Sequence, residues 1–253
     1  MTSTASTTIA LRARAADGAP RTVIRDDWNA AKVAVVVCDM WDTTQCVSAA
    51  RRVVALAPRV DEVASRLRQQ GALIVHAPAG CMDHYASTPA RERARRAPRV
   101  PSPVPIDWND WNASREAPLP VALADDTPCS CEPGPPCTTG GPPYPWTHQI
   151  DTIGIASVDA VTDSGEELLA LLAQRGIEDV VVMGVHANRC VLGRPYGIRQ
   201  LVYWGRRPVL CRDLTDAYHR DPRGHAWGNA QMIAHIERHW CPTLTSDQLM
   251  GGA

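Results

Sequence analysis

The stretch Val180-Val181-Val182-Met183-Gly184-Val185-His186-Ala187-Asn188-Arg189-Cys190-Val191 is the part of this chain that says most about its fold. Its β-branched start is typical of a buried strand, and the apolar run stops at Gly184, before a short turn. The sequence predicts a helix after the turn, from Val191 to Trp204. Cys190 therefore stands at a strand-to-helix turn, where backbone N–H groups converge and the helix dipole favours negative charge.

Cys190 has two interpretations at this point. The turn predicts a thiol with a lowered pKa, which would make Cys190 a nucleophile. Free cysteine is also among the residue types most often buried as a small hydrophobe. The stretch alone is compatible with both.

The N-terminal half predicts a β–α–β unit. Lys32–Asp39 is a continuous apolar run that ends in an acid, which is typical of a central parallel strand. Val53–Gln70 has helical spacing and is followed by Gly71 as a stop, and Ala72–Ala77 predicts a second strand. This order favours a parallel sheet with right-handed crossovers.

The same rhythm resumes further along the chain. Ser164 and Glu167 form a capping box for a helix that runs to Arg175. The other predicted elements are a short third strand at Thr152–Ala156, strands at Val180–Met183 and Pro208–Arg212, a helix at Gly224–Trp240 and a final edge strand at Thr243–Thr245. We predict an α/β fold of three α/β/α layers, Rossmann-like, with a six-stranded, mostly parallel sheet.

The chain is predicted to have one main domain with two additions. Residues 1–31 form an N-terminal extension, in which Ile9–Arg14 and Arg21–Arg25 flank the turn Asp17-Gly18 as a hairpin. Residues 32–249 form the main domain. A long insertion at about 84–150, rich in Pro, Trp, Arg and Asp, is predicted to cover a site or a subunit contact.

Composition argues against several classes of partner. The 253 residues carry a net charge of -1, which argues against non-specific binding to nucleic acid or to an anionic membrane. No apolar run is long enough to span a bilayer, and the first twenty residues lack the apolar core of an export signal. We expect a cytoplasmic protein whose nine cysteines are reduced.

Three acidic or turn segments follow predicted strands, at the sheet edge where ligands bind in parallel α/β folds. They are Asp39, the Gly184–Cys190 turn, and Asp213 with Asp216. Asp39 ends an apolar strand, so its carboxylate should be buried and should have a partner. Asp213 and Asp216 are interpreted as helix or loop caps.

The strand-end Asp39 and the strand–Gly–turn–Cys190-Val191–helix resemble the isochorismatase-like cysteine hydrolases, which include nicotinamidases, N-carbamoylsarcosine amidases and isochorismatases. The resemblance runs from Lys32 to Leu249 without the insertion, and it includes Asp216-Ala217 and His225. The segments Cys38-Asp39-Met40-Trp41-Asp42 and 235–243 are similar to a bacterial subgroup of that superfamily.

The resemblance implies roles for several residues. Cys190 would be the nucleophile, and Asp39 would take the thiol proton and pass it to the leaving amine. The peptide between Val185 and His186 would be cis, and the backbone N–H groups of His186 and Cys190 would form an oxyanion hole. The side chain of His186 would either line the pocket or lie behind it.

The sequence departs from the superfamily in its third catalytic residue, a lysine near the end of the third strand. The matching region, Thr152–Asp159, contains no lysine, and Lys32 begins the first strand at the opposite end from Asp39. The candidate replacements by position are Arg189, His148 and Arg194. Arg189 directly precedes the cysteine and carries a permanent charge.

Metal binding is the second departure. Asp83-His84 follows the second strand without the Asp-x-His spacing of nicotinamidases, so we expect no catalytic metal and no required cofactor. Cys129, Cys131 and Cys137 are candidate ligands of a structural zinc, with Cys81 or His148 as the fourth. The alternative is that they are reduced loop cysteines.

Three functional hypotheses follow. The first is a hydrolase that cleaves a C–N bond of a small-molecule substrate through a thioester at Cys190. The second is an isochorismatase-type enol-ether hydrolase, and the third is a catalytically impaired member that binds a small molecule or a partner. Because members of the superfamily usually oligomerise, we expect a homodimer or homotetramer.

Overall fold

One sheet organises the molecule. The computed structural model describes residues 6–121 and 144–251, and its strands form a single eight-stranded sheet. In chain order the strands are β1 (Thr7–Arg14), β2 (Pro20–Trp28), β3 (Val33–Cys38), β4 (Leu73–Ala77), β5 (Ala160–Val161), β6 (Asp179–Val185), β7 (Arg207–Asp216) and β8 (Thr243–Leu244).

Helices connect these strands and cover both faces of the sheet. In chain order they are α1 (Val47–Gln69), α2 (Pro89–Arg96), α3 (Gly165–Arg175), α4 (Cys190–Gly193), α5 (Ile198–Tyr203), α6 (His225–His239) and α7 (Ser246–Met250). Each face of the sheet has its own apolar cluster, and β3, β4, β6 and β7 contribute to both clusters. The predicted three-layer α/β class is therefore confirmed. In the part of the chain that the structure describes, no helix is long and apolar enough to cross a membrane.

The strand order is β2-β1-β8-β7-β6-β3-β4-β5. The six strands from β3 to β8 are parallel, as the sequence predicts, and β3 and β6 lie side by side at the centre. The N-terminal hairpin does form, but it extends this sheet, because β1 pairs antiparallel with β8. Thr243–Leu244 is therefore an inner strand, and the predicted edge position is wrong.

A buried carboxylate holds the hairpin to the main sheet. Glu237 of α6 accepts hydrogen bonds from Arg12 at 2.6 Å and from Arg14 at 3.1 Å, both on β1. Thr243 of β8 donates to the same carboxylate at 2.7 Å. These contacts join α6, β1 and β8, so the hairpin is part of the same packed unit.

The third parallel strand lies later than the sequence predicts. The predicted strand Thr152–Ala156 is a turn, and the strand is Ala160–Val161, which pairs with Val75 and His76. Asp159 accounts for the difference: its carboxylate accepts the N–H of Ala156 at 2.7 Å and binds both Arg68 and His76. This folds the segment before it into a turn.

The helix predicted at Val191–Trp204 is two short helices, α4 and α5. Pro195 lies between them and has no N–H to donate, which interrupts the helical hydrogen bonds. Gly197 is packed so closely that a Cβ there would lie 2.9 Å from the Val191 carbonyl oxygen. The linker 194–197 therefore leaves the helix axis and directs its side chains toward the sheet edge.

The described part of the insertion is tied to the body at both ends. Arg91 of α2 forms a buried ion pair with Glu167 of α3. Glu116 is buried and accepts hydrogen bonds from His235 and Trp240, both at 2.7 Å. Gln149, where the insertion returns, bonds to His76 of β4 at 3.0 Å. These contacts attach the described parts of the insertion to α3, α6 and β4.

Candidate active site

The predicted site residues meet where β3 and β6 end. These strands pair in parallel register up to Cys38 and Gly184, so Asp39 and the turn 186–190 leave the sheet together. Gly184 has a φ of +112°, and a Cβ on it would lie 2.1 Å from the Cys38 carbonyl oxygen. Only glycine allows this close approach, which brings Asp39 beside Cys190.

Asp39 is completely buried and surrounded by hydrogen-bond donors. The Ala79 N–H donates to Oδ1 at 2.8 Å, and the Tyr196 hydroxyl donates to the same oxygen at 3.1 Å. Arg194 Nε donates to Oδ2 at 3.0 Å. The carboxylate also hydrogen-bonds the Cys190 thiol. The prediction that Asp39 is a buried acid with partners is confirmed.

Cys190 is the first residue of α4 and is 6% exposed. Burial raises the pKa of its thiol to about 12, and the Asp39 carboxylate adds to the increase, whereas Arg194 and the His186 N–H oppose it. The expectation of a lowered pKa is therefore wrong. A helix of four residues supplies only a weak dipole, and burial beside an anion outweighs it.

The turn between β6 and α4 has the predicted backbone. The Val185–His186 peptide bond is cis, at the position that the resemblance implies. The His186 carbonyl oxygen accepts the N–H of Arg189 at 2.9 Å, and the backbone N–H of His186 lowers the pKa of the Cys190 thiol. The turn therefore brings a backbone donor near the nucleophile.

A cavity of about 540 Å³ opens in front of Cys190. Its aromatic lining side chains are Trp41, Trp108, Tyr144, Trp146, His186 and Tyr218, and its other lining residues are Thr44, Gln45, Ala79, Gly80, Arg189, Cys190 and Arg194. Asp39 lies behind this surface. The cavity combines flat apolar walls with two guanidinium groups, and its size suits a small molecule.

The insertion builds part of the wall. Trp146 stacks on Trp41 with ring centroids 4.1 Å apart, and both indoles donate to the Ala79 carbonyl oxygen at 3.1 Å. Tyr144 packs its ring against the face of Trp146. Trp108, from the other side of the insertion, lies against Arg194 at 5.3 Å from its guanidinium carbon. The insertion therefore covers the site, one of its two predicted roles.

The three candidate replacements for the lysine have different positions. Arg189 lines the cavity beside Cys190. His148 stacks on His84 and lies 3.4 Å from Asp42 and 3.2 Å from Asp151, outside the lining of the cavity. Arg194 is the candidate with a direct contact to Asp39.

The Arg194 guanidinium stays protonated in its partly buried position. Burial opposes a charged guanidinium, but Asp39 and the Cys190 thiol raise its pKa above the ordinary value. Arg194 is thus a permanent cation between the carboxylate and the cavity. The sequence carried a signal for it, because Arg194 follows Cys190 by one helical turn. Tyr196 carried no such signal, since its position depends on the break between α4 and α5.

The two acids after β7 have different surroundings. Asp213 accepts the backbone N–H and the hydroxyl of Ser246 at the start of α7, as predicted for a cap. Asp216 is buried and lies 2.5 Å from His225 Nε2 and 3.0 Å from Arg52 Nε. Its Oδ2 is 3.6 Å from His186 Nδ1. The interpretation of Asp216 as a cap is therefore wrong.

Asp216 is an ionised carboxylate at the back of the cavity wall. Burial alone would raise its pKa, but His186, His225 and Arg52 together hold the pKa well below its ordinary value. A buried anion with this many cationic or donor neighbours stays charged over the working pH range. Its negative charge therefore acts on the imidazole of His186, which lines the cavity.

The structural-zinc prediction stays a prediction, because its three cysteines lie outside the residues that the structure describes. No group of three or more His, Cys, Asp or Glu side chains within 6–121 and 144–251 is arranged to hold an ion. Cys129, Cys131 and Cys137, the candidate zinc ligands, lie outside the described residues. Cys81, a candidate fourth ligand, is buried, and its thiol lies 3.8 Å from the Ala79 carbonyl oxygen.

Comparison with known proteins identifies the fold. The sequence matches no protein-family model and no curated protein. The structure is similar to a cysteine hydrolase from Pseudomonas syringae pv. phaseolicola 1448A, with a TM-score of 0.53 over 90% of this chain and 94% of that one, at 13% identity. The chain has the isochorismatase-like hydrolase fold.

A second solved structure agrees with this assignment. A candidate isochorismatase hydrolase from Oleispira antarctica matches with a TM-score of 0.50, covering 87% of this chain and 97% of that one, at 13% identity. The predicted resemblance to the isochorismatase-like superfamily is confirmed at the level of the fold. What an isochorismatase-like fold does in this chain has to be argued from its own side chains.

Proposed function

We propose that this protein is a cysteine-dependent hydrolase that cleaves the C–N bond of a small amide-type substrate through a thioester at Cys190. The observation that carries the proposal is the cluster of Cys190, Asp39 and Arg194, two of which line the cavity while Asp39 lies behind them. A nucleophile, a base in hydrogen-bond contact with it, and a third group that orients the base are the parts that nucleophilic catalysis requires.

Acylation starts from a neutral thiol, because the raised pKa keeps the proton on Cys190 at neutral pH. As the sulfur attacks the substrate carbonyl carbon, the thiol proton passes to Asp39. Asp39 then gives this proton to the nitrogen of the leaving amine as the C–N bond breaks. The products of the step are a thioester, a free amine and an ionised Asp39.

Arg194 takes the electrostatic place of the missing lysine in this proposal. Its Nε–H fixes Oδ2 of Asp39, while Tyr196 and Ala79 fix Oδ1. The guanidinium also lowers the energy of the thiolate that develops during attack, because it opposes the effect of Asp39 on the Cys190 pKa. Arginine supplies this charge without titrating.

The oxyanion of the tetrahedral intermediate would be bound by the backbone N–H groups of His186 and Cys190. The His186 N–H lies near enough to the Cys190 thiol to lower its pKa, and the carbonyl oxygen of a substrate bound to the sulfur would lie in the same region. Backbone donors that are fixed before the reaction are worth about 3 kcal/mol of transition-state stabilisation each. This assignment rests on the turn geometry and on the fold.

The walls of the cavity favour a flat substrate. Trp41 and Trp146 form one stacked wall, and Trp108 approaches from the other half of the insertion. Arg189 and Arg194 make the interior cationic. A planar acyl group with a polar or anionic substituent fits both features, since indole faces stack on flat groups and guanidinium groups bind oxygen acceptors.

Trapping the thioester tests the proposal. The protein is incubated with p-nitrophenyl acetate and with a panel of aromatic primary amides, then examined by intact mass spectrometry. We expect an acyl adduct at Cys190 that is absent in Cys190→Ala. Absence of both adduct and product would contradict the proposal and favour the enol-ether hydrolase or the binding protein.

Three further proposals concern the setting of this activity. The six cysteines within the described residues are all free thiols, which supports a reducing, cytoplasmic location. We propose a small molecule as the only required partner at the site. A homodimer or homotetramer is proposed from the resemblance, and sedimentation of the purified protein tests it.

A further inference from the structure

Hydrolysis of the thioester requires a base that can reach water, and Asp39 is badly placed for this. Asp39 is 0% exposed and lies behind the surface of the cavity. Its two oxygens already accept hydrogen bonds from Ala79, Tyr196 and Arg194. Asp39 can exchange a proton with the neighbouring sulfur, but its carboxylate is not exposed to the water that fills the cavity.

His186 is the side chain that meets the requirement. Among the described residues that line the cavity, it is the one with an imidazole, whose neutral form has a ring nitrogen that accepts a proton. The arginines carry permanent charges, Ala79 and Gly80 have no polar side chain, and the other lining side chains are indoles, phenols, an amide, a hydroxyl or the nucleophile itself. His186 is 5% exposed, and its ring lies against the ring of Tyr218 on the same wall.

Asp216 is the carboxylate beside the imidazole. Its Oδ2 lies 3.6 Å from His186 Nδ1, and that nitrogen is buried and makes no hydrogen bond among the described residues. An ionised carboxylate on this side favours a proton on Nδ1, which leaves Nε2 of the neutral ring as the acceptor. Asp216 is itself held by Arg52 from α1 and His225 from α6, so its position is fixed on two sides.

We propose that His186 is the general base that activates water to hydrolyse the Cys190 thioester, with Asp216 as its positioning residue. The proposal rests on the proposed function, because it needs the thioester. Water attacks the thioester carbonyl carbon and gives one proton to His186 Nε2. When the C–S bond breaks, the imidazolium returns that proton to the thiolate of Cys190. The products are a carboxylic acid, a neutral thiol and a neutral imidazole.

The experiment isolates deacylation from acylation. The protein is acylated with p-nitrophenyl acetate, excess ester is removed by gel filtration, and decay of the acetyl adduct at Cys190 is followed by intact mass. p-Nitrophenolate leaves without needing a proton, so acylation proceeds without the acid step. We expect adduct decay in His186→Ala to be at least about 100-fold slower than in the unmodified protein.

Two controls make the result specific. His148→Ala removes a histidine that lies outside the cavity lining, and its adduct should decay at the normal rate. Added imidazole should restore decay in His186→Ala by replacing the lost base. Hydroxylamine, which attacks thioesters without base assistance, should release the adduct equally fast from all proteins, showing that the thioester remains accessible.

Asp216→Asn tests the positioning residue separately. The amide keeps the shape of the carboxylate but removes its charge, so the proton of His186 is no longer drawn to Nδ1. We expect slower adduct decay than in the unmodified protein, together with a shift of the His186 ¹⁵N resonances toward the Nε2–H tautomer. A variant with slower decay and unchanged ¹⁵N resonances would contradict this role for Asp216.

The outcomes separate the two proposals. If no adduct forms at Cys190 in any protein, the proposed function fails and this inference falls with it. If the adduct forms but His186→Ala loses it at the normal rate, the hydrolase stands and the base is not His186. If decay is slow but imidazole does not restore it, His186 has a structural role and the inference is overturned.

Discussion

Arg194 Nε lies 3.0 Å from Asp39 Oδ2, with the arginine on the loop between α4 and α5 and the aspartate at the end of β3. The pair places a cation beside the buried carboxylate, the role that the proposed function assigns to Arg194 in place of the superfamily lysine. Asp39 is buried and Arg194 is largely covered, so each charge depends on the other for compensation.

Removal of the Arg194 charge is expected to impair both folding stability and acylation. Arg194→Met leaves the Asp39 carboxylate without its counter-charge, which should cost about 3 kcal/mol of unfolding free energy. Urea unfolding measures this loss, and the rate of adduct formation with p-nitrophenyl acetate measures acylation. Arg194→Lys restores the charge and should recover most of both.

The lysine variant also has a pH signature. Arg194 stays protonated at all working pH values, whereas a lysine at this position loses its charge at about pH 10. Adduct formation in Arg194→Lys should therefore fall on the alkaline side, relative to the unmodified protein. Parallel pH profiles for the two proteins would show that the cation takes no part in acylation.

Asp39→Asn is expected to make alkylation of Cys190 easier and acylation of Cys190 slower. Burial and the Asp39 charge together raise the pKa of Cys190 to about 12, so Asp39→Asn removes one of the two causes. The midpoint for alkylation of Cys190 by iodoacetamide should move to lower pH. Adduct formation with an amide should fall by at least about 100-fold, because the proton carrier is gone.

This pair of effects distinguishes a base from a structural acid. A residue that only supports the turn would change alkylation and acylation in the same direction when it is replaced. Cys190→Ala in the Asp39→Asn background identifies any alkylation of the other thiols. If alkylation of Cys190 slows in Asp39→Asn, the electrostatic account of its pKa is wrong.

The sequence predicts the central strands of the sheet better than the strands at its two edges. β3 and β6 are continuous apolar runs buried on both faces, so their pattern depends on nothing but their own residues. β5 has two residues, and its position follows from Asp159, Arg68 and His76 meeting across the structure. The hairpin gives no sign that it will join the sheet, because that depends on Glu237 far along the chain.

The site also contains residues whose positions follow from local sequence and residues whose positions depend on distant contacts. Asp39 and Cys190 directly follow adjacent parallel strands, so their meeting could be predicted. Arg194 follows Cys190 by one helical turn, so its approach to Asp39 could also be predicted. Tyr196 reaches Asp39 only because α4 stops and the chain turns at Pro195, which helical spacing does not show. The sequence predicts the wrong direction for the Cys190 pKa, because local sequence shows the helix end but not the depth of burial.

The insertion is expected to depend on Glu116 for its attachment to the body. Glu116 accepts hydrogen bonds from His235 and Trp240 and lies 2.5 Å from Arg199. Replacement by Ala leaves a buried guanidinium uncompensated, so we expect a loss of about 3 kcal/mol in unfolding free energy at neutral pH. Glu92→Ala, which removes an exposed partner of Arg96, should cost less than about 0.5 kcal/mol.

Acid should abolish most of the difference in unfolding free energy between the unmodified protein and Glu116→Ala. Burial would raise the pKa of Glu116, but His235, Trp240 and Arg199 lower it below the ordinary value of 4.5. A carboxyl group with a lowered pKa in the folded state stabilises the protein above the unfolded-state pKa, and this contribution is lost as pH falls through the folded-state pKa. The unfolding free energies of the unmodified protein and Glu116→Ala should therefore converge as the pH falls through the lowered folded-state pKa of Glu116. A constant difference from pH 7 downward would contradict the role of the charge.

Gly184 is expected to be the most sensitive glycine of the site. It lies beside Cys38 at the point where β3 and β6 end, and a Cβ there would overlap the Cys38 carbonyl oxygen at 2.1 Å. Gly184→Ala must therefore push the two strands apart, at a cost of about 3 kcal/mol. The displacement separates Asp39 from Cys190, so acylation should fall more than stability alone explains.

Gly205→Ala is the matched control, because Gly205 also has a positive φ, at +70°, but faces open space. It should cost only about 1 kcal/mol and leave acylation unchanged. Equal losses of stability in the two variants would show that backbone conformation, and not the contact with Cys38, makes glycine necessary at position 184.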